Sequence, residues 1–124
     1  MIELQKYVVG VLKSVHSRVY QEEAPQEAVY PFVVYRLPTS TETEERREDF
    51  ILEVDVWDNP PDGSTVTLQQ LADEIDRALH RTVYLDPGGK WITMIYRINR
   101  MMVPDPDPEI RRRQLRYDLR TYAV

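Results

Sequence analysis

The sequence has no cysteine and only two histidines among its 124 residues. Without cysteine, the chain can form neither disulfides nor thiolate-based catalytic sites. It also lacks a long apolar run, because the run over residues 7–12 ends at Lys13 and is far shorter than a bilayer-spanning helix requires. That run has neither the basic start nor the small-residue cleavage site of a secretory signal. These absences predict a soluble protein that is made and assembled inside a cell.

The composition is that of one globular domain. Hydrophobic residues make up 42% of the chain and charged residues 30%, which is typical of folded rather than disordered proteins. A chain of this length has room for one hydrophobic core without further cross-links. We therefore predict a single domain over residues 1–124.

Charge is distributed unevenly along the chain. Residues 42–80 carry a net charge of −9 and residues 81–124 a net charge of +4, within a total of −5. Thirteen of the sixteen cationic residues are arginine, and the chain also has eight tyrosines and four methionines. Arginine, aromatic residues and methionine are enriched at protein interfaces. The composition therefore favours a component of an assembly, although a coding bias towards arginine would give the same count.

The first part of the chain predicts a helix, a strand and a charged arm. Apolar residues at helical spacing predict a helix over residues 2–19. A run of β-forming residues predicts the first strand, over residues 32–37. Residues 38–49 have almost no apolar side chain, so we expect there a long solvated hairpin arm or a flexible loop.

The strand signal is clearest over residues 50–57, where the two faces differ in character. The face predicted to lie in the core carries Phe50, Leu52, Val54 and Val56. The opposite face carries Ile51, Glu53, Asp55 and Trp57. This mixed face suits solvent or a partner subunit.

The second part of the chain predicts another helix and two long strands. An apolar stripe predicts a helix over residues 65–81, after a turn rich in proline and glycine. Alternating patterns predict strands over residues 91–103 and 110–123. In the first of these strands, one face carries Ile92, Met94, Tyr96 and Ile98. The order of elements predicts an α+β fold, in which two amphipathic helices pack on one face of an antiparallel β-sheet of four to five strands.

Residues capable of catalysis are few and scattered. Neither His16 nor His80 lies near a nucleophile in the sequence, and no phosphate-binding glycine motif is present. Glu53 and Asp55 share a strand face on which a divalent cation for nuclease chemistry could bind, but no companion lysine lies at nuclease spacing. The sequence therefore predicts no catalytic residue, no metal site and no cofactor. A metal-dependent nuclease is the remote alternative.

The basic cluster of the sequence lies near the end of the chain. It consists of Arg111, Arg112, Arg113, Arg116 and Arg120. On a strand, Arg111 and Arg113 share one face and the other three share the opposite face. Such a cluster can follow a DNA backbone, pair with the acidic arm of the same chain, or contact acidic residues of a neighbouring subunit. The segregated charge favours the contact between subunits, with Trp57 in the same interface, and such contacts can close into a ring.

Four segments of the chain carry a resemblance to a known family. They are Val19-Tyr20 through Ala24-Pro25-Gln26, Tyr30-Pro31-Phe32-Val33-Val34-Tyr35, Val54-Asp55-Val56-Trp57, and the helix that carries Leu71, Ala72, Ile75 and Leu79. In these motifs and in the order of its elements, nearly the whole chain resembles the tail-completion, or tail-terminator, family of bacteriophages with long non-contractile tails.

The resemblance implies a structural protein without catalytic residues, which forms a hexameric ring, caps the finished tail tube and joins it to the head connector. The implied partners are other copies of the chain, the tail tube protein and the head–tail connector protein, with no membrane and with DNA only in passage through the lumen. The implied location is the head–tail joint of the virion, and the host cytoplasm during assembly or when a prophage encodes the protein. A head-completion stopper or another minor tail protein is the nearest alternative. A nucleic-acid-binding domain that uses residues 111–120 is a more remote one.

The charged arm has two possible places in such a ring. Its charged residues near the tip are Glu42, Glu44, Glu45, Arg46, Arg47 and Glu48. An acidic arm can line the lumen, where like charge discourages DNA from adhering, or it can reach a partner ring and become ordered there. The sequence leaves both places open.

Overall fold

Residues 2–43 and 46–124 are described in the computed structural model of the chain. Over these residues the chain forms two helices and six strands. In chain order they are α1 (Ile2–Val15), β1 (Val19–Gln21), β2 (Phe32–Thr43), β3 (Arg47–Asp58), α2 (Val66–Leu79), β4 (Val83–Leu85), β5 (Trp91–Met102) and β6 (Arg111–Ala123). Among the described residues, neither helix has the length and apolar character needed to cross a membrane.

The six strands form one sheet in the order β1-β2-β3-β6-β5-β4. β1 runs parallel to β2, and the other neighbouring pairs are antiparallel. The predicted α+β class is confirmed, whereas the prediction of four to five antiparallel strands is wrong in both number and pairing. The strands that the prediction missed, β1 and β4, have three residues each, which is too short for an alternating pattern to show in the sequence.

Both helices are shorter than predicted. The helix predicted over residues 2–19 ends at Val15, and Val19 begins β1 instead, because valine and the tyrosine after it favour strands. The helix predicted over residues 65–81 is α2. It ends at Leu79, because the next residue is extended, with a ψ of 127°, and Arg81 adopts a positive φ of 64°. The chain therefore turns directly from α2 into β4.

The hydrophobic core lies between the two helices and one face of the sheet. The helices contribute Leu4, Val8 and Leu12 from α1 and Leu68, Leu71, Ala72, Ile75 and Leu79 from α2. The strands contribute Val33, Tyr35, Phe50, Leu52, Val54, Val56, Ile95, Leu115, Tyr117 and Leu119. The core face predicted for residues 50–57 is confirmed, because its four apolar side chains are at most 8% exposed.

The charged arm predicted over residues 38–49 is the distal part of a β-hairpin. β2 and β3 pair along it as far as Thr43 opposite Arg47, so the hairpin rather than the flexible loop is formed. The pairing shifts register around Pro38, which has no N–H to donate to the ladder. The strands predicted on either side of the arm are therefore longer than expected. β3 also pairs with β6 along its whole length, so the β2 half of the arm is the half that lies at an edge of the sheet.

The strands predicted over residues 91–103 and 110–123 are β5 and β6. In β5, Thr93 and Ile95 face the core, at 1% and 0% exposure. The apolar face predicted for this strand therefore lies on the other side of the sheet. Ile98 departs from the alternation, because the pairing with β6 shifts register beside it.

Candidate interaction surface

The helices pack on one face of the sheet and leave the other without a helix in the described part of the chain. Because alternate residues of a strand point to opposite faces, this outer face carries the odd-numbered residues of β3 and the even-numbered residues of β6. It also carries the even-numbered residues of β2 as far as Arg36. The mixed face that the sequence predicted for residues 51–57 lies at the centre of this outer face.

Asp55 lies at the centre of a charged network on the outer face. The residue is fully buried, at 0% exposure. Arg36 Nη2 donates to Asp55 Oδ2 at 2.7 Å, and Arg112 Nε donates to Asp55 Oδ1 at 3.0 Å. A buried charge is costly unless it is paired and hydrogen-bonded. Both carboxylate oxygens of Asp55 are paired in this way.

Glu53 extends the network along the same strand. Arg36 Nε donates to Glu53 Oε1 at 2.9 Å, and Arg116 Nε lies 3.4 Å from Glu53 Oε2. Strand register explains the arrangement, since Arg36 and Arg116 lie directly opposite Glu53 on its two sides. Burial lowers the pKa of Arg36, but hydrogen bonds and charge from the two carboxylates raise it by more, so the net pKa is above its usual value. Arg36, Glu53, Asp55, Arg112 and Arg116 are termed the arginine–carboxylate network below.

Aromatic rings border this network at Trp57. The Arg112 guanidinium carbon lies 4.6 Å from the centroid of the Trp57 ring, within the range of a cation–π interaction. Phe32 stacks on Trp57 with ring centroids 6.1 Å apart and packs against Tyr30 at 5.0 Å. A cleft of about 310 Å³ separates these rings from the chain segment at residues 22–28. Trp57 is therefore held between an arginine and other aromatic side chains.

The five arginines predicted for the interface are divided between the two faces of β6, as the strand pattern predicted. The outer face has Arg112, Arg116 and Arg120, and the helix side has Arg111 and Arg113. The structure brings Arg112 into contact with Trp57, and Arg116 is linked to Arg112 through the arginine–carboxylate network. Arg120 lies farther along the strand and pairs with Asp118 at 3.0 Å. A role of these residues in an interface remains a prediction.

The carboxylates that pair with Arg112 and Arg116 belong to the same chain. They lie in β3 rather than in the charged arm, because β6 pairs with β3 although the two strands are far apart in sequence. Replacing Arg112 by glutamate would place a second negative charge beside Asp55. We expect that change to destabilise the subunit itself, so a charge reversal there cannot isolate a contact between subunits.

Glu53 and Asp55 are neutralised by arginine in this structure. A divalent cation would have to displace guanidinium groups that already pair with both carboxylates. Over residues 2–43 and 46–124, no group of three or more His, Cys, Asp or Glu side chains is placed to hold a metal ion. The pairing with arginine therefore argues against the nuclease alternative.

The end of the charged arm brings two acidic residues face to face. Of the predicted arm residues, the structure describes Glu42, Arg46, Arg47 and Glu48, whereas Glu44 and Glu45 lie outside the described residues. Glu42 lies directly opposite Glu48 in the hairpin, and like charges in that position repel each other. Arg47 donates to Asp49 at 2.9 Å. The arm therefore presents negative charge at the end of the sheet.

A polar contact within the core was missed by the sequence analysis. Tyr117 is fully buried, and its hydroxyl donates to Asp76 Oδ1 of α2 at 2.9 Å. Asp76 also accepts a hydrogen bond from Arg97 at 2.9 Å. Burial raises the pKa of Tyr117 above its usual value, and the negative charge of Asp76 adds to the effect. The apolar pattern of α2 does not predict this contact, because Asp76 is a polar residue beside the apolar stripe. Its side chain lies at the edge of the core, where it contacts Tyr117.

We expect the buried tyrosine to make stability fall at high pH. A tyrosine in the unfolded chain ionises near pH 10, whereas Tyr117 in the folded protein keeps its proton to higher pH. The stability that it contributes is therefore complete below pH 10 and falls by roughly 1.4 kcal/mol per pH unit above it. Replacing Tyr117 by phenylalanine should reduce the stability loss between pH 9 and pH 11 by about 1.4 kcal/mol, measured by urea denaturation. An unchanged loss would show that Tyr117 does not govern it.

Exposed apolar side chains are concentrated at one edge of the sheet. Among the described residues, nine large apolar side chains are exposed, and five of them lie in β4 or in the last part of β5. These five are Val83, Leu85, Ile98, Met101 and Met102. Edge strands of soluble proteins commonly carry charge that prevents further pairing. An apolar edge of this kind is typical of an interaction surface.

Comparison with known proteins gives a family match and a structural likeness. The family model described as "Tail completion protein gp17" matches residues 4–122. A chain of the structure described as "Virion of native gene transfer agent (GTA) particle" has a similar fold, with a TM-score of 0.70 and 13% sequence identity, covering 98% of this chain and 96% of that chain. At so low an identity the likeness shows the fold alone. No curated protein matches the chain.

Proposed function

Because the chain belongs to the tail completion protein gp17 family and is thus a structural tail protein, we propose that it forms a ring that caps the tail tube and joins it to the head connector. Its partners in this role are further copies of itself, arranged as a hexamer, together with the tail tube protein and the connector protein. It then resides at the head–tail joint of the virion, and in the host cytoplasm before assembly. It acts through contacts and not through catalysis.

The observation that carries this proposal is the unlike character of the two sheet edges. The edge formed by β4 and residues 98–102 of β5 exposes five large apolar side chains. On the opposite edge, residues 39–43 of β2 are polar, with exposed threonine, serine and glutamate side chains. Different surfaces on one subunit make heterologous contacts, which close into a ring when the rotation permits.

The charged arm has a place in this ring. Its tip presents Glu42 and Glu48 at the end of the sheet. If the tip faces the lumen, its charge discourages DNA from adhering during passage. If it faces the partner ring instead, it offers negative charge to basic residues there. Both places are consistent with a hairpin that continues the sheet.

The DNA-binding alternative is less well supported by the geometry. Arg112, Arg116 and Arg120 each have a carboxylate partner in the chain, which reduces the positive charge available to phosphates. Under that alternative, DNA affinity would fall steeply with salt. It would also be lost when Arg111 and Arg113 are replaced by glutamine, a result that would favour nucleic-acid binding over the ring.

The mass of the protein in solution tests the ring. Light scattering coupled to size-exclusion chromatography is expected to show, at high protein concentration, a species of about six times the 14.7 kDa subunit mass. In a sedimentation assay, the protein should bind purified tail tubes with open ends and fail to bind tubes that are already capped. A protein that binds connectors but not tubes would support a head-completion stopper or another minor tail protein instead. A monomer that binds neither would contradict the proposal.

A further inference from the structure

We propose that neighbouring copies of the chain join through interlocking sheet edges. β4 of one copy pairs with residues 39–43 of β2 in the next copy, and β1 of that next copy pairs with residues 98–102 of β5 in the first. The inference rests on the proposed ring, because it names the contact that holds the subunits of the ring together. The partner at these edges is therefore a second copy of this chain.

Each edge of the sheet has one short projecting strand and one recess. β1 pairs with residues 33–35 of β2, so residues 39–43 have no strand beside them on that side in the described part of the chain. β4 pairs with residues 92–94 of β5, so residues 98–102 also have no strand beside them on their outer side among the described residues. An unpaired strand edge offers a row of N–H and C=O groups for pairing with another chain.

The projection on one edge lies level with the recess on the other. Residues that lie directly opposite one another across the strands form a row, and the row that contains Val34 also contains Met101. Because β1 pairs with β2 at Val34, β1 lies at the same end of the sheet as the unpaired part of β5. The row that contains Thr41 also contains Met94 and Val83, so β4 projects where β2 is open. When a second copy continues the sheet, each projecting strand fills the recess of the other copy.

Strand direction permits both pairings. β2 and β5 run in opposite directions, because three antiparallel pairings separate them in the sheet. In a copy that continues the sheet, β1 therefore meets β5 in antiparallel orientation, and β4 meets β2 in parallel orientation. Both projections are one strand wide. In each pairing, one strand lies between β5 of the first copy and β2 of the next copy. The same distance of about 9–10 Å between β5 and that β2, twice the usual strand spacing, therefore suits both pairings.

The side chains that meet across this joint match in character. If the rows of the sheet continue from one copy into the next, Val83 lies beside the β-branched Thr41 of the next copy on the outer face. Val83 is 54% exposed in the single copy. The continued rows also place Met101 beside Tyr20 on the same face. Contacts between a methionine sulfur and an aromatic ring are favourable. The joint therefore places two of the five exposed apolar side chains of this edge beside side chains of the next copy.

Charge favours the same pairing. The open edge of β1 and β2, over residues 19–23 and 39–43, carries three acidic residues and no basic one. On the open edge of β5, Arg97 and Arg100 already pair with carboxylates of α2, so their positive charge is largely offset. Two copies of the acidic edge would bring like charges together, which is unfavourable. A head-to-tail joint avoids this repulsion and repeats from copy to copy.

Disulfide trapping tests this joint directly, because the chain has no cysteine of its own. The double variant Thr41→Cys, Val83→Cys carries one exposed thiol on each edge of the sheet. Three strands lie between the two positions in one subunit, so they are too far apart for a bond within the chain. Oxidation at high protein concentration is expected to give a ladder of covalent oligomers on a non-reducing gel.

The matched control is the double variant Glu42→Cys, Val83→Cys. Residue 42 follows Thr41 directly, and its side chain therefore points to the opposite face of the sheet. Because a disulfide requires the two Cβ atoms to be close and suitably directed, we expect roughly tenfold less cross-linked product than with the first variant. Circular dichroism of both reduced variants checks that the fold is retained.

The outcomes separate the joint from the ring. Equal ladders from the two double variants, or no ladder from Thr41→Cys, Val83→Cys, would overturn the interlocking edges. A hexameric mass for the unmodified chain without such a ladder would keep the ring and remove the joint. A ladder that grows beyond six copies without a closed species would keep the joint and remove the ring.

Discussion

Replacing Arg36 by methionine is expected to destabilise the subunit by about 3–5 kcal/mol. Arg36 holds both carboxylates of the arginine–carboxylate network, at 2.9 Å from Glu53 and 2.7 Å from Asp55. Methionine keeps much of the side-chain volume but carries no charge, so Asp55, whose side chain is 1% exposed, is left with Arg112. A buried carboxylate that loses half of its pairing no longer recovers the cost of leaving water.

Arg120→Met is the matched control, because it makes the same chemical change on the same face of the sheet. Arg120 pairs with Asp118 at 3.0 Å, but its side chain is 44% exposed. Exposed ion pairs contribute only about 0–1 kcal/mol. Urea denaturation gives the free energy of unfolding of both variants, and we expect the loss to be larger for Arg36→Met than for Arg120→Met. Small and equal losses in the two variants would show that the buried network stabilises the subunit no more than a surface pair does.

The sequence predicts the parts of the fold whose pattern is long enough to show a period. Alternation over residues 52–56 and 115–119 identifies the core faces of β3 and β6, because burial of one face imposes a period of two. The apolar stripe of α2 does the same for a helix. In β5, by contrast, the alternating apolar side chains lie on the outer face, and Thr93 and Ile95 face the core. β1 and β4 have three residues each and form by pairing with a longer neighbour. Their existence, and with it the shape of both sheet edges, depends on tertiary contacts that no local pattern records.

The arginine–carboxylate network shows why the site is harder to predict than the fold. The charge distribution separates an acidic middle from a basic end and favours a contact between subunits, whereas Arg112 and Arg116 pair with carboxylates of their own chain. Which carboxylate meets which arginine depends on β3 and β6 being neighbours in the sheet, and Asp55 and Arg112 lie 57 positions apart in sequence. The same pairing buries Asp55 on a face that alternation alone assigns to solvent or a partner.

Replacing Val83 by glutamate is expected to weaken each contact between subunits at least about 30-fold, because like charges brought together at an interface cost roughly 2 kcal/mol or more. Val83 lies in β4, where the interlocking edges would place it against the acidic edge of the neighbouring copy. A charge on an edge strand also opposes pairing with another strand. Because the valine is 54% exposed in the single copy, the free energy of unfolding of the subunit should change by less than about 1 kcal/mol.

Val66→Glu provides the comparison that makes this result specific to the edge. Val66 is 60% exposed, but it lies at the start of α2 and away from both sheet edges. Light scattering over a range of protein concentrations should show that the Val83 variant stays monomeric where the Val66 variant and the unmodified protein assemble. If both variants assemble normally, β4 does not take part in the contact. If both fail to assemble, the cause is a general effect of added negative charge, since an edge contact predicts that only the Val83 variant loses assembly.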